Sequence, residues 1–302
     1  NKEEAYKFLE KNISSKFSVI EIKKRPAKKT PAPPFTTSTL QQEASRKLYF
    51  SVSKTMNVAQ RLYEAGFITY MRTDSVNLSE EAKNNIKNQI KLSFGDKYLQ
   101  PRDFKTKNKG AQEAHEAIRP TDFSKNQLDI DYDQARLYEL IWRRTVASQM
   151  KEAELEKSQI FIKNDNYDDS FTASGEVITF DGFLKIYLEG VDDEVDNDNT
   201  ILPQVKIGEY LELNNITSTE RFSRAPFRYS EASLVKKMED LRIGRPSTYA
   251  PTITTIQNRK YVEKGSSDGN ERIYVKLTLN KGKIKSEKLS ERFGMDKGKL
   301  VP

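Results

Sequence analysis

The hydrophobic periodicity of this chain changes twice, and the order of those changes constrains the fold more than any other feature. Near the start, FSVIEIKKRPAKKTPAPPF alternates apolar and polar residues at Phe17, Val19 and Ile22, then enters a basic, proline-rich stretch from Arg25 to Pro34. That pattern predicts one strand followed by a linker. From Phe35 the spacing becomes helical. Thr39 with Gln42 reads as a capping box ahead of Leu40, Ala44 and Leu48, and Ser53 precedes a second run with Met56, Ala59, Leu62 and Tyr63 on one face, closed by Gly66. Ser79, Glu80 and Glu81 open a third helix ending near Gly95, and Asp133 opens a fourth with Leu137, Leu140, Ile141, Trp142 and Val146. Between Ser158 and Glu220 the period returns to two in SQIFIKN, SFTASGEVITF and GEYLELNNI, with a solvated acidic loop, DDEVDNDN, at 192–199. Helices resume at Ser230, which precedes EASLVKKMEDL; a turn at Arg242–Pro246 leads into STYAPTITTIQNRKYV, where Pro251 sits in a first turn.

A single strand is not stable alone. Residues 1–34 are therefore expected to fold with 156–225 as one β-rich unit, with 35–155 inserted as a helical unit and 226–302 following as a mainly helical one. The expected fold class is mixed α and β, multidomain.

Composition removes several chemistries. The 302 residues contain no cysteine and one histidine, His115, so disulfides, thiolate metal sites, Cys nucleophiles and multi-His zinc sites are excluded, and a cytoplasmic location is expected. No apolar run approaches the ~18 residues a membrane span needs, and there is no P-loop or internal repeat. Lys and Arg number 51 against 44 Asp and Glu, giving +7 and a pI near 9.2, which favours a polyanionic partner. Asn1 is not an initiator and the C-terminal end carries no stop signal, so a piece of something longer is expected.

Three stretches carry candidate chemistry. In GFITYMRTDS (66–75), Tyr70 and Arg72 are two residues apart in an extended segment and project from one face. A phenol with a pKa of ~10 needs a nearby positive charge or base to act as a nucleophile, and one guanidinium at this spacing can reach both the phenolic oxygen and an attacked phosphate. On this stretch alone, packing is the commoner role for such a tyrosine. In AHEAIRPT (114–121), His115, Glu116 and Arg119 form a possible phosphate-binding set, although Glu116 could equally orient a structural histidine. In RIGRPSTYAPTI (242–253), Arg245, Ser247 and Thr248 stand where a turn becomes a helix, which suits either an anion or ordinary N-capping.

Taken together and in order, PPFTTSTLQQEAS (33–45), KTMNVAQRLYEAGFITYMRTDS (54–75), AHEAIRPT (114–121) and IGRPSTYAPTITTIQNRKYV (243–262) resemble the core of bacterial type IA DNA topoisomerases over essentially the whole chain. Met71, where topoisomerase III enzymes tend to carry Pro, makes YMRTDS look like topoisomerase I. The resemblance implies a toroidal enzyme in which Tyr70 attacks a phosphodiester of single-stranded DNA, becomes joined to the 5′ phosphate and leaves a 3′ hydroxyl. Arg72 would stabilise the transition state and His115 would support the site. Gln60 and Asp74 would lie beside the cleaved strand, Arg119 would contact DNA, and Arg245, Ser247 and Thr248 would hold the backbone upstream. The same resemblance implies a monomer that relaxes negative supercoils without ATP near the nucleoid. It places the Mg²⁺ ligands and a catalytic glutamate in a Toprim domain before Asn1, so this chain would bind no metal and would be inactive alone. The alternative is a non-catalytic single-strand-binding module in which Tyr70 stacks on a base.

Overall fold

The structure, a computed structural model, describes residues 1–104, 116–166, 170–188, 190 and 202–302. After a short helix α1 (Lys2–Lys11), strand β1 (Phe17–Lys29) enters an antiparallel sheet of order β3-β2-β1-β4, with β2 (Ala153–Asn164), β3 (Ser170–Phe180) and β4 (Tyr210–Leu211). The stretch from Arg25 is thus strand, not linker, as far as Lys29. The physical reason is that β4 covers β1 only at Phe17 and Ser18. Farther along, no other strand of the described residues pairs with that edge of β1, so Pro26 can sit opposite Glu156 without depriving a neighbouring strand of a donor.

The helical block follows: α2 (Thr37–Leu48), α3 (Val52–Glu64), α4 (Glu80–Phe94) and α5 (Tyr132–Ser148). Their apolar stripes meet in one core containing Leu40 and Ala44, Ala59 and Leu62, Ile86 and Ile90, and Leu137 and Ile141. Two helices start earlier than their sequence suggests. Thr36, not Thr39, caps α2, and Thr39 is its reciprocal partner in the box; Ser51, not Ser53, caps α3. Phe35 stays extended to bridge Ile118, and α2 begins as soon as that pairing ends. A buried network fastens the block to the chain connections. Arg144 Nε donates to Pro33 O at 2.6 Å and its Nη1 to the Tyr187 hydroxyl at 3.3 Å, while that hydroxyl donates to Glu43 Oε2 at 2.7 Å.

The expectation that 226–302 is mainly helical is corrected. After α6 (Glu231–Asp240) and α7 (Tyr249–Asn258), the chain forms β6 (Glu263–Lys264), a long hairpin of β7 (Asn270–Asn280) and β8 (Lys283–Phe293), and β9 (Leu300–Val301). The hairpin turns through Lys281 and Gly282, both at positive φ, which matches the twist of the flanking strands. Strand β5 (Asn215–Thr219) pairs with β7, so this sheet crosses the boundary expected at residue 225, and Leu9 of α1 packs on Leu277 and Leu279. Among the described residues, no helix is long and apolar enough to cross a membrane.

Candidate active site

Helix α3 buries Val52, Thr55, Val58, Ala59 and Leu62 and ends in a two-bond clasp. Gly66, at φ +75°, donates its N–H to Tyr63 O, and Phe67 donates to Leu62 O, both at 2.9 Å. This left-handed closure needs glycine's freedom and turns the chain back along the helix. As a result Tyr70 meets Tyr63 edge-on, ring centroids 5.2 Å apart and planes at 64°.

Beyond the turn, side chains alternate. Met71 and Thr73 are buried, whereas Tyr70 is 43% exposed and Arg72 is exposed. Both flanks of this irregular segment are held. On one side Thr69 donates its N–H to Arg119 O at 2.9 Å and its hydroxyl to Ala117 O at 2.7 Å, and Ile68 bridges Pro120. On the other, the buried Thr37 donates its hydroxyl to Met71 O at 2.7 Å and accepts the Thr73 N–H at 2.9 Å. A buried inner row thus fixes the direction of the outer pair. Among the described residues, Arg72 makes no side-chain hydrogen bond or ion pair, and it lines a cleft of about 350 Å³ with Ser53, Asn57, Ser247 and Thr254.

The far wall of that cleft is α7 and the turn before it. Ile243 donates its N–H to Met238 O at 2.8 Å, closing α6, and Gly244 follows at φ +82°. Thr248 does not cap α7 with its side chain. Its hydroxyl accepts the Arg245 N–H at 2.8 Å, and Arg245 Nη1 returns to Gly244 O at 3.0 Å. Ser247 is exposed in the cleft. Tyr249, buried behind it, has its phenol pushed above the usual range by burial and by the carboxylates of Glu239 and Asp74, against the opposing charge of Arg245. Asp74 and Arg245 therefore act on one buried hydroxyl, and Ser38 donates to Glu239 at 2.6 Å on the same side.

The structure brings some of the sequence candidates together and separates others. Arg72 and Ser247 share a cleft; Asp74 and Arg245 act on Tyr249, and Thr248 is bonded to Arg245; Gln60, on α3, donates to Glu64 at 2.7 Å. Arg119 has a structural engagement: its guanidinium donates to Glu116 Oε2 at 2.6 and 3.1 Å and to Pro120 O at 3.0 Å, and Glu116 accepts the Ser79 N–H. Burial alone would push the Glu116 carboxyl up, but the hydrogen bonds from Ser79 and Arg119 hold it below the usual carboxylate range. His115 lies outside the described residues. Sequence reasoning passed over Thr37 and Tyr249, and it placed Tyr63 on the packing face of α3, whereas Tyr63 is 40% exposed and meets Tyr70.

A family profile described as DNA topoisomerase matches residues 1–287. The chain belongs to the DNA topoisomerase family. It is similar to DNA topoisomerase 1 of Rickettsia bellii, at 48% identity over 278 residues, covering 87% of this chain and 34% of the relative. DNA topoisomerase 1 of Streptomyces coelicolor is 49% identical over 262 residues, covering 83% of this chain and 28% of the relative. Full-length topoisomerase I from Thermotoga maritima matches the fold with a TM-score of 0.72 at 38% identity, over 87% of this chain and 44% of that one. The resemblance to bacterial topoisomerase I and the mixed α and β fold hold. The chain spans about a third of the length of these curated topoisomerases.

Proposed function

We propose that this chain is the cleavage arm of a type IA DNA topoisomerase. In this reading the Tyr70 oxygen forms a bond to the phosphorus of a single-stranded DNA phosphodiester while the bond from phosphorus to the 3′ oxygen breaks. The phenol loses its proton and the departing 3′ oxygen gains one. One ester replaces another, so the bond energy stays in the phosphotyrosyl link and resealing by the reverse attack needs no nucleotide. Arg72 neutralises charge on the pentavalent phosphorus; a fixed donor of this kind contributes a factor of ~10²–10³ in rate. Ser247, across the cleft, holds the DNA backbone beside it. The observation that carries the reading is that Tyr70 and Arg72 are both exposed on a segment whose inner residues are locked, and that, among the described residues, Arg72 is paired with no carboxylate.

No step here is routed through a metal. Among the described residues, no three His, Cys, Asp or Glu side chains gather to hold one. The Mg²⁺ expected from the resemblance belongs to the upstream Toprim segment in this reading, and relaxation of supercoiled DNA requires that segment. The test is a denaturing gel of the full-length protein with single-stranded oligonucleotides labelled at either end. Covalent attachment to the 5′-phosphate side, lost in Tyr70→Phe, is expected. An adduct that survives Tyr70→Phe, or one through a 3′ phosphate, refutes the assignment, and binding with no adduct favours the non-catalytic module.

A further inference from the structure

Between β5 and α6 the chain runs as RFSRAPFRY, residues 221–229, without helix or strand and exposed along its whole length. Arginines at 221, 224 and 228 are interleaved with Phe222, Phe227 and Tyr229, and the three rings are 38%, 58% and 43% exposed. Leaving a Phe and a Tyr this open is costly in water, and among the described residues none of the three arginines makes a side-chain hydrogen bond or ion pair.

The segment is nevertheless fastened at both ends. Glu220 donates its N–H to Val275 O and accepts the Val275 N–H on its carboxylate, each at 2.9 Å. The Arg272 guanidinium sits 4.1 Å from the Phe222 ring centroid and 4.9 Å from that of Phe293, and it is paired with Glu291 at 2.6 Å. At the other end Tyr229 O accepts the Leu300 N–H at 2.6 Å. Fixing both ends lowers the ordering cost of binding.

We propose that residues 221–229 are a second contact for single-stranded DNA, with bases stacking on Phe227 and Tyr229 and phosphates paired to Arg221, Arg224 and Arg228. Alternating aromatic faces and guanidinium groups on an irregular, accessible segment match the repeat of an unpaired strand, whose bases and phosphates also alternate. A duplex, with its bases stacked inside, would use the charges and leave the rings without a role. The inference rests on DNA as the partner of the candidate cleft, but it concerns different residues.

The test is fluorescence anisotropy of the full-length protein with an oligothymidylate of about 20 nucleotides, longer than the cleft alone would cover. Replacing all three arginines by glutamine should weaken binding at least tenfold. It should also make the slope of log K against log salt shallower by about 2, at ~0.7 for each phosphate no longer neutralised. Phe227→Ala should weaken binding about tenfold, the order of one stacked base, and Phe227→Tyr should restore it. Both variants should still form the Tyr70 adduct at saturating oligonucleotide. Wild-type affinity and salt slope in the triple variant overturn the proposal. So does an equal loss on heparin with no effect of Phe227→Ala, which would mark the segment as a general polyanion patch. Failure of the wild-type protein to form an adduct would refute the topoisomerase reading instead, and the binding measurements would stand apart from it.

Discussion

Thr37 fastens the segment that carries the candidate nucleophile, and its replacement by valine isolates what that fastening contributes. The side chain is fully buried, and its hydroxyl donates to Met71 O at 2.7 Å and accepts the Thr73 N–H at 2.9 Å. Valine keeps the shape and removes the hydroxyl. Thr73 O retains the Thr37 N–H at 2.9 Å, but Met71 O and the Thr73 N–H lose the threonine hydroxyl. A buried polar group left unpaired costs about 1–3 kcal/mol, so two should lower stability by about 2–6 kcal/mol. Thr37→Ser, which keeps the hydroxyl and loses one methyl, should cost about 1 kcal/mol. The single tryptophan reports on this core, since Trp142 is 5% exposed and donates to Phe123 O at 3.0 Å, so urea unfolding followed by its fluorescence measures the change. In the full-length protein, Thr37→Val should slow adduct formation more than it weakens oligonucleotide binding, because an error of ~1 Å in placing a reacting group costs about 100-fold in rate. A Thr37→Val protein with the wild-type urea midpoint and wild-type adduct rate would show that the strand is held elsewhere and that the clasp positions nothing.

Three other perturbations test neighbouring steps. Arg72→Ala should slow adduct formation by ~10²–10³ with oligonucleotide affinity changed only a few-fold, and Arg72→Lys should recover part of the rate, because lysine keeps the charge but not the planar fork; equal losses in rate and affinity would make Arg72 a simple tether. The Glu116 carboxyl is held below its unfolded value, so its contribution is present above about pH 4.5 and is lost as pH falls through the depressed folded value. Glu116→Gln should therefore be less stable than wild type near neutrality, and the gap should close in acid; a gap independent of pH contradicts the assignment. Gly244→Ala puts a Cβ 2.9 Å from Thr248 Oγ1 at φ +82° and should cost about 1–2 kcal/mol from backbone strain alone, read in the same urea assay.

Much of this was legible because it is local. Gly66 announces the end of α3, Ser79 and Ser230 cap the helices that follow them, and Tyr70, Met71, Arg72 and Thr73 alternate between exposed and buried as an extended segment was expected to, although they join no sheet. What was not legible depends on partners far along the chain. Arg25–Lys29 looks like a linker because it is basic and contains Pro26, and only the free edge left by the two-residue β4 lets it be a strand. The hairpin of β7 and β8 is lysine-rich on its open side, which hid the alternation of Val275, Leu277 and Leu279 against α1. The engagement of Arg119 by Glu116 was not legible either, since the sequence reading offered Glu116 as a partner of His115.

The two walls of the candidate cleft are not equally supported, and this bears on how it would work. The Arg72 wall belongs to the large core that runs through α2 to α5, and its strand is tied on both flanks. The Ser247 wall is docked by a smaller cluster, Val52, Val235, Met238, Tyr249, Ala250 and Ile253, with polar ties from Ser53 to Thr254 at 3.0 Å, from Val52 N–H to Glu231 at 3.0 Å and from Ser38 to Glu239 at 2.6 Å. Local stability follows the extent of buried apolar packing, so separation of α7 from α3 should cost less than any opening within the helical core. A phosphate held between Arg72 and Ser247 bridges these unequal walls and favours the docked arrangement in proportion to its occupancy. On the proposed reading, Tyr70 is carried by the better-supported side, while Ser247 on the softer side closes on the DNA backbone.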